Sequence, residues 1–412
     1  MLALLRDASM APIYILWSIS LMKPMILNDS LSLFVIWCCT ISIQTATWAD
    51  VTVKNASQLR QEVKRAEPGD VISLAAGEYG NGITLEKLSG TKAQPIVIAG
   101  DPASLPTFTG GNQAFHLVDC NYVTLRNLHV SGCSGNGINA DDGGSYETPS
   151  RGLVFENITI EKIGPRGNHD GLKLSGLVDF AVRNCKFAGW GGSAIDMVGC
   201  QDGVIEGCEF IGIEGFSQDT GVQNKGGTER ILIQRNYFEN AGQRAVNLGG
   251  STGLQYFRPK LCDYEANEII VVGNHFVGSM SPIAFVTSTN CEVRKNTIVN
   301  PEKWVIRILQ EQPTDKFLPC QKGVFEENLI VYDNQVQTFV NVGANTKPES
   351  FTFRNNAWFN SQSNRRPTLP VKEEGGIIQV DPQLKHDRTA APDIGSTDPR
   401  LQNVGAHSFV SE

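Results

Sequence analysis

The sequence is short of charge, of basic runs and of long apolar stretches, and each shortage removes a class of protein. Only 19% of the 412 residues are charged, and the formal net charge is −8 without any cluster of Lys and Arg. A nucleic-acid partner is therefore not expected. An acidic polymer stays open, because a local basic patch can sit on an acidic protein. No apolar run reaches the roughly 20 residues of a stable membrane span. MAPIYILWSISLM at 10–22 and LSLFVIWCCTISI at 31–43 are both shorter. The ten cysteines form no CxxC pair, so a zinc site is not expected. Cys38 and Cys39 lie in the second apolar run; of the other eight, Cys185 and Cys208 read as small apolar filler. Disulfides remain open in an exported protein, without readable connectivity.

The N-terminus reads as an export signal. Lys23 precedes the second apolar run, and TATWA ends at Ala49 with small residues at Thr47 and Ala49. That pattern places cleavage at Ala49–Asp50 and the mature protein outside the cell or in the periplasm. An uncleaved anchor is the rival reading. The expected organisation is a signal at 1–49, one folded domain at 50–360 and an irregular C-terminal cap and tail at 361–412, as a monomer.

What is present is a repeat. Short β-rich runs recur about every 22 to 38 residues, and eight of them carry asparagine at one apparent place: Asn127, Asn157, Asn184, Asn236, Asn274, Asn296, Asn328 and Asn355, with Gly207 in the same slot of DGVIEGC. One short strand cannot bury its apolar side alone, so such a period means a solenoid. Asparagine tolerates a left-handed bend and can bond its amide to the neighbouring coil. The expected fold is all-β, a right-handed parallel β-helix of about ten coils. SQLRQEVKRA, with Ser57 as N-cap, is expected to form a short helix plugging its N-terminal end.

A second strand in each repeat has an apolar-x-apolar core. Alternation sends its middle residue outward, giving the column Thr84, His116, Asn139, Lys173, Asp196, Gln223, Asn247, Ala284, Arg307, Asn341. Neighbouring columns add Asp170, Arg244, His169, Asp219 and Lys225. One patch over 168–250 thus gathers His169, Asp170, Lys173, Asp196, Asp219, Gln223, Lys225, Arg244 and Asn247. The insertions at 143–151 and 249–268 are expected to wall a groove there, with Arg258 and Lys260 as contacts for substrate anions. Arg307, Trp304, Tyr256 and Phe257 would extend it.

The N-terminal repeats SQLRQEVKRAEPGDVISLAAGEY, PIVIAG and YVTLRNLHVSG resemble the chondroitinase B and alginate lyase family of polysaccharide lyases, over about residues 50–300. The resemblance implies a lysine base and an arginine acting beside a calcium held by glutamates shortly before the lysine. In GVQNKGGTERILIQRNYF, Lys225 falls where that lysine would be. The glutamate positions read Gln218 and Thr220 with Asp219 between them, and the arginine coil reads AVNLGG, with Arg244 a few residues early. The resemblance therefore implies a relative with a rebuilt site, or a shared fold.

The chemistry expected of the patch is β-elimination on a uronate-containing acidic polysaccharide. A cation near the uronate carboxylate stabilises the developing charge while a base removes the adjacent proton. Lys225 is the candidate base, Arg244 the charge neutraliser and His169 an acid or base. Lys173, Gln223, Asn247, Arg258 and Arg307 are candidate substrate contacts. Asp196 and Asp219 are candidate ligands for a Ca2+ cofactor. Lys173 beside Asp196 reads equally as a surface ion pair, and His169 as the brace of a turn. Rival enzymes are a glycoside hydrolase using Asp170 and Asp196, whose NHDG resembles the NTDG element of polygalacturonase-type glycosidases, and a uronate epimerase. A carbohydrate-binding protein without catalysis is the rival from another class.

Overall fold

The computed structural model describes residues 50–385 and 392–410, so the expected export signal at 1–49 lies outside the described residues. From Asp50 on, the chain winds into a right-handed parallel β-helix. Ten strands, one per coil, form one sheet from Ile83–Glu86 to Val340–Val342, and the strands on the other sides form a second sheet of 26. Every named strand pairing is parallel, as each coil returns the chain to the same direction one rung further on.

Alternation within the ten-strand sheet creates both core and working face. Leu172 and Leu174, Ile195 and Met197, Val246 and Leu248, and Ile306 and Ile308 point inward and are completely buried. Inside, Phe187, Phe210, Phe238 and Phe276 stack face over face, with centroids 5.1, 4.5 and 4.7 Å apart. The outward column runs in the expected register along its whole length, from Thr84↔His116 through Lys173↔Asp196, Asp196↔Gln223 and Gln223↔Asn247 to Arg307↔Asn341. Strand pairing sets these neighbours about 4.8 Å apart.

The asparagines do not share one place. They fill two adjacent slots with different tasks. Asn127, Asn157, Asn184 and Asn355 occupy a left-handed corner with φ between 52° and 57°. Arg235, Lys295 and Glu327 also stand there, at φ 51° to 55°, as does Gly207. The next residue points inward, and there Asn236, Asn274, Asn296, Asn328 and Asn356 build the ladder. In it, the backbone N–H and side-chain amide of Asn274 both donate to Asn296 Oδ1, at 2.9 and 3.0 Å, and Asn296 donates likewise to Asn328. Glu373 ends the ladder by accepting from Asn356 and from the Trp358 indole. Earlier coils fill the inward slot with Leu128, Ile158, Cys185 and Cys208, so the ladder spans only the C-terminal half. All eight cysteines from Cys120 to Cys320 are unpaired, and seven are buried.

Both ends are closed. The helix Ala56–Glu62 buries Leu59, but its N-cap is Asn55 rather than Ser57, with Asn55 Oδ1 accepting from Gln58 N at 3.0 Å. Asn55 wins because it stands in extended backbone, at φ −163°, directly before the first turn. At the other end Ile377–Ile378 pairs with Ala357–Trp358, and Val380, Leu401 and Val404 pack on Leu329 and Ala357.

Candidate functional site

At the centre of the outward face lies a run of four alternating charges. Lys173 Nζ stands 3.0 Å from Asp170 Oδ2 and 2.5 Å from Asp196 Oδ2, and Lys225 Nζ stands 2.9 Å from Asp196 Oδ1. The carboxylates are wholly buried, whereas the Lys173 and Lys225 side chains are 26% and 20% exposed. Asp170 precedes its strand and is pinned there: its Oδ1 accepts from Ser193 N at 2.8 Å and its own N–H donates to Asn136 Oδ1 at 2.7 Å. The Lys225–Asp196 contact is an ion pair without the alignment of a hydrogen bond, so Lys225 is the more loosely tied lysine.

Charge balance within this run is unequal. Burial would push the Asp196 carboxyl up, but the ammoniums of Lys225 and Lys173 outweigh it and hold it below the usual carboxylate range. Asp170 goes the other way: burial and the neighbouring Asp196 charge raise it more than Lys173 and Ser193 lower it. Burial opposes the charge on Lys173, yet Asp196 and Asp170 hold it above its ordinary value. Of the two carboxylates, Asp170 is the readier to take a proton.

Toward the C-terminal coils the face becomes amide and then cationic. Gln223 and Asn247 are buried and bonded to each other at 3.2 Å, and both donate to Gly249 O. Arg244 reaches along the strand to Asn247 Oδ1 at 3.3 Å and pairs with Glu311 at 2.7 Å. Two coils after Asn247, Arg307 donates to Asn341 at 3.1 Å and lies over the Trp304 ring at 4.5 Å. Lys225 and Arg244 thus share the face, joined through Gln223 and Asn247.

Other expected members fall elsewhere. Asp219 precedes Thr220, and since Gln223 is the partner of Asp196, Asp219 lies four positions upstream of Asp196 along the strands. That is about 13 Å at about 3.3 Å per residue, too far for one ion to bridge. Asp196 is moreover already neutralised by two ammoniums. Among the described residues, no group of three His, Cys, Asp or Glu is placed to hold a metal. The residues present therefore do not fit the expected calcium. His169 packs against Gly164 at the preceding turn, where its carbonyl accepts from Gly192 N at 2.9 Å. These contacts hold the turn and do not join His169 to the four charges.

The two insertions make one wall rather than two. Arg258 is not free to meet a substrate, because its Nε donates to the buried Asp142 at 2.7 Å and its guanidinium covers Tyr146 at 4.2 Å. Tyr146 in turn donates to Gln255 O at 3.0 Å. Glu265, itself fully buried, anchors the wall to the site: it accepts from Thr252 N and Gly226 N, each at 2.6 Å, immediately after Lys225. Glu265, Asp142 and Glu311 escaped the sequence reading because they lie outside the aligned strands, Glu265 in the second insertion and Asp142 and Glu311 just after a strand's end, where no repeat assigns a register.

Fold and face together define a right-handed parallel β-helix protein with a charged outer column. Residues 113–298 match a family model described as right handed beta helix region, and residues 53–137 match that of chondroitinase B. The chain is thus a β-helix protein whose first coils resemble chondroitinase B. It is also similar to an alginate lyase from Paenibacillus sp. str. FPU-7, with TM-score 0.50 and 19% identity over 80% of this chain and 99% of that one. A GH136 lacto-N-biosidase from Eubacterium ramulus gives TM-score 0.52 and 13% identity over 78% of this chain and 64% of that one. No curated protein matches the sequence. At these identities the likeness shows the fold alone, and the fold serves more than one chemistry.

Proposed function

We propose that the chain is a secreted, carbohydrate-active protein that binds a uronate-containing acidic polysaccharide across the ten-strand face and cleaves it by β-elimination. The observation that carries this reading is the layering of charge at the centre of the face, where Lys173 and Lys225 reach the surface while Asp170 and Asp196 lie beneath them. Lys173, Lys225 and Arg244 keep 20% to 26% of their side chains exposed, whereas Asp170 and Asp196 keep none. An anionic chain therefore meets cations first. The same layering disfavours a glycoside hydrolase, because acid and base must each reach the glycosidic linkage, and these carboxylates are covered by lysine.

Lys225 is the proposed base: once its own proton has passed to solvent, with Asp196 keeping Lys173 as counter-ion, the amine takes the proton adjacent to the uronate carboxylate, and the ammonium so formed gives it to the leaving glycosidic oxygen. Arg244, steadied by Asn247, faces the uronate carboxylate and stabilises the charge that grows on it. Asp170, raised by burial, is suited to hold a proton within the cluster. No step runs through a metal. Among the described residues no helix is long and apolar enough to cross a membrane.

The test is incubation with alginate, pectate and glycosaminoglycans, followed by ultraviolet absorbance of the unsaturated uronate that elimination creates. Lys225→Ala and Arg244→Ala should each lower that activity by about 100-fold or more while circular dichroism stays unchanged. Reducing ends without absorbance would make the protein a hydrolase. Full activity in both variants would remove these residues from the site.

A further inference from the structure

Beyond the central charges, the face carries a second cationic feature with its own internal counter-ion. Arg244 pairs with Ser281, three positions upstream of Ala284, but its guanidinium reaches along the strand to Asn247, which with Arg307 flanks the buried Ala284. The guanidiniums are near enough to repel, and burial followed by the Arg244 charge lowers the basicity of Arg307. Trp304 supports Arg307 at 4.5 Å and Lys303 at 4.3 Å, so three cations and one indole converge at this end. Against them stands one carboxylate, Glu311, at 2.7 Å from Arg244 and 33% exposed.

Glu311 is not placed there by the coil. It follows the strand Ile306–Leu309 in a loop, where its N–H donates to Thr287 Oγ1 at 3.0 Å. The next residue, Gln312, donates to Thr252 O at 2.7 Å and to Glu265, which ties this loop to the insertion at 249–268. The wall thus presents a part-exposed carboxylate to Arg244, the group an acidic sugar would otherwise bring. Arg307 has no carboxylate of its own among the described residues; its directed partner is the neutral Asn341.

We infer that Arg244, Arg307 and Trp304 form a binding subsite for a carboxylate-bearing sugar, and that Glu311 is the internal stand-in for that carboxylate, displaced when the sugar binds. This rests on the acidic-polysaccharide reading above and adds the subsite and its gate. Displacement is feasible because a part-exposed pair of this kind is worth no more than a few-fold in binding. The arginine fork then receives the ligand carboxylate in two parallel bonds, while the indole offers its face to the ring. The subsite selects for charge: a neutral sugar cannot replace Glu311 on Arg244.

The experiment is calorimetric titration of the full chain and of Glu311→Gln with oligouronates and with neutral oligosaccharides of equal length. Glu311→Gln should bind oligouronate about fivefold tighter, about 1 kcal/mol at 1.4 kcal/mol per tenfold, with neutral-sugar binding unchanged. Arg307→Gln should weaken oligouronate binding, and in an Arg244→Gln background the Glu311→Gln gain should vanish. Unchanged or weaker oligouronate binding by Glu311→Gln, with the unsubstituted protein binding well, overturns the stand-in role alone. Failure of the unsubstituted protein to bind any oligouronate overturns this proposal and the acidic-substrate reading together.

Discussion

Replacing Lys173 by methionine removes the ammonium shared by two wholly buried carboxylates while keeping most of the side-chain volume. Asp170 is left with only the Ser193 N–H on its Oδ1, and Asp196 with only the Lys225 ion pair. Breaking a buried pair by deleting one partner costs about 3–5 kcal/mol; because Lys225 remains, the loss should fall near about 3 kcal/mol. Its pH dependence carries more information. Without Lys173 both carboxyls rise in the folded state, Asp170 from a value burial already holds high. A carboxyl raised above its unfolded value of about 4 favours the fold when protonated and opposes it when ionised. The penalty should therefore be small at about pH 4 and grow to its full size by about pH 8. Urea unfolding followed by circular dichroism at both pH values measures it. Adding Asp170→Asn should restore part of the loss at the higher pH. A loss that is equal at both pH values, or larger in acid, would refute the shared-ammonium account.

The same structure makes two further claims about what holds the site. Glu265→Ala strips the acceptor from Thr252 and Gly226, two donors worth about 1–3 kcal/mol each when left unpaired; limited proteolysis should then cut within 249–265 and 310–318 while the coils resist. Asn296→Ala should cost about 2–4 kcal/mol, because it orphans the Asn274 N–H and breaks the amide stack between Asn274 and Asn328. Asn157→Gly, at a left-handed corner, should lie within about 1 kcal/mol of the parent protein. Equal urea midpoints for Asn296→Ala and Asn157→Gly would contradict the assignment of asparagine to two different slots.

How far the sequence could be read follows from where each residue lies. Period-two alternation is strictly local, so LK173L, ID196M, VQ223N and VN247L each announce an inward pair around an outward residue. Stacking such rungs then places Lys173, Asp196, Gln223 and Asn247 side by side without further information, and the pairings agree. Adjacent corner and ladder slots were not separable in this way, because asparagine suits both a left-handed bend and an amide stack and the two positions are neighbours in the chain.

The sequence alone determined the fold, the register and the side of the molecule that carries the charges, because those depend on repetition and every coil restates them. Tertiary structure alone decided which charges are covered and which are offered. Asp170 and Asp196 lie beneath the lysines, Asp219 sits about 13 Å upstream of Asp196, and Arg258 is turned inward onto Asp142. Those outcomes depend on side-chain reach and on two insertions that meet across more than 100 residues of chain, and neither obeys a period.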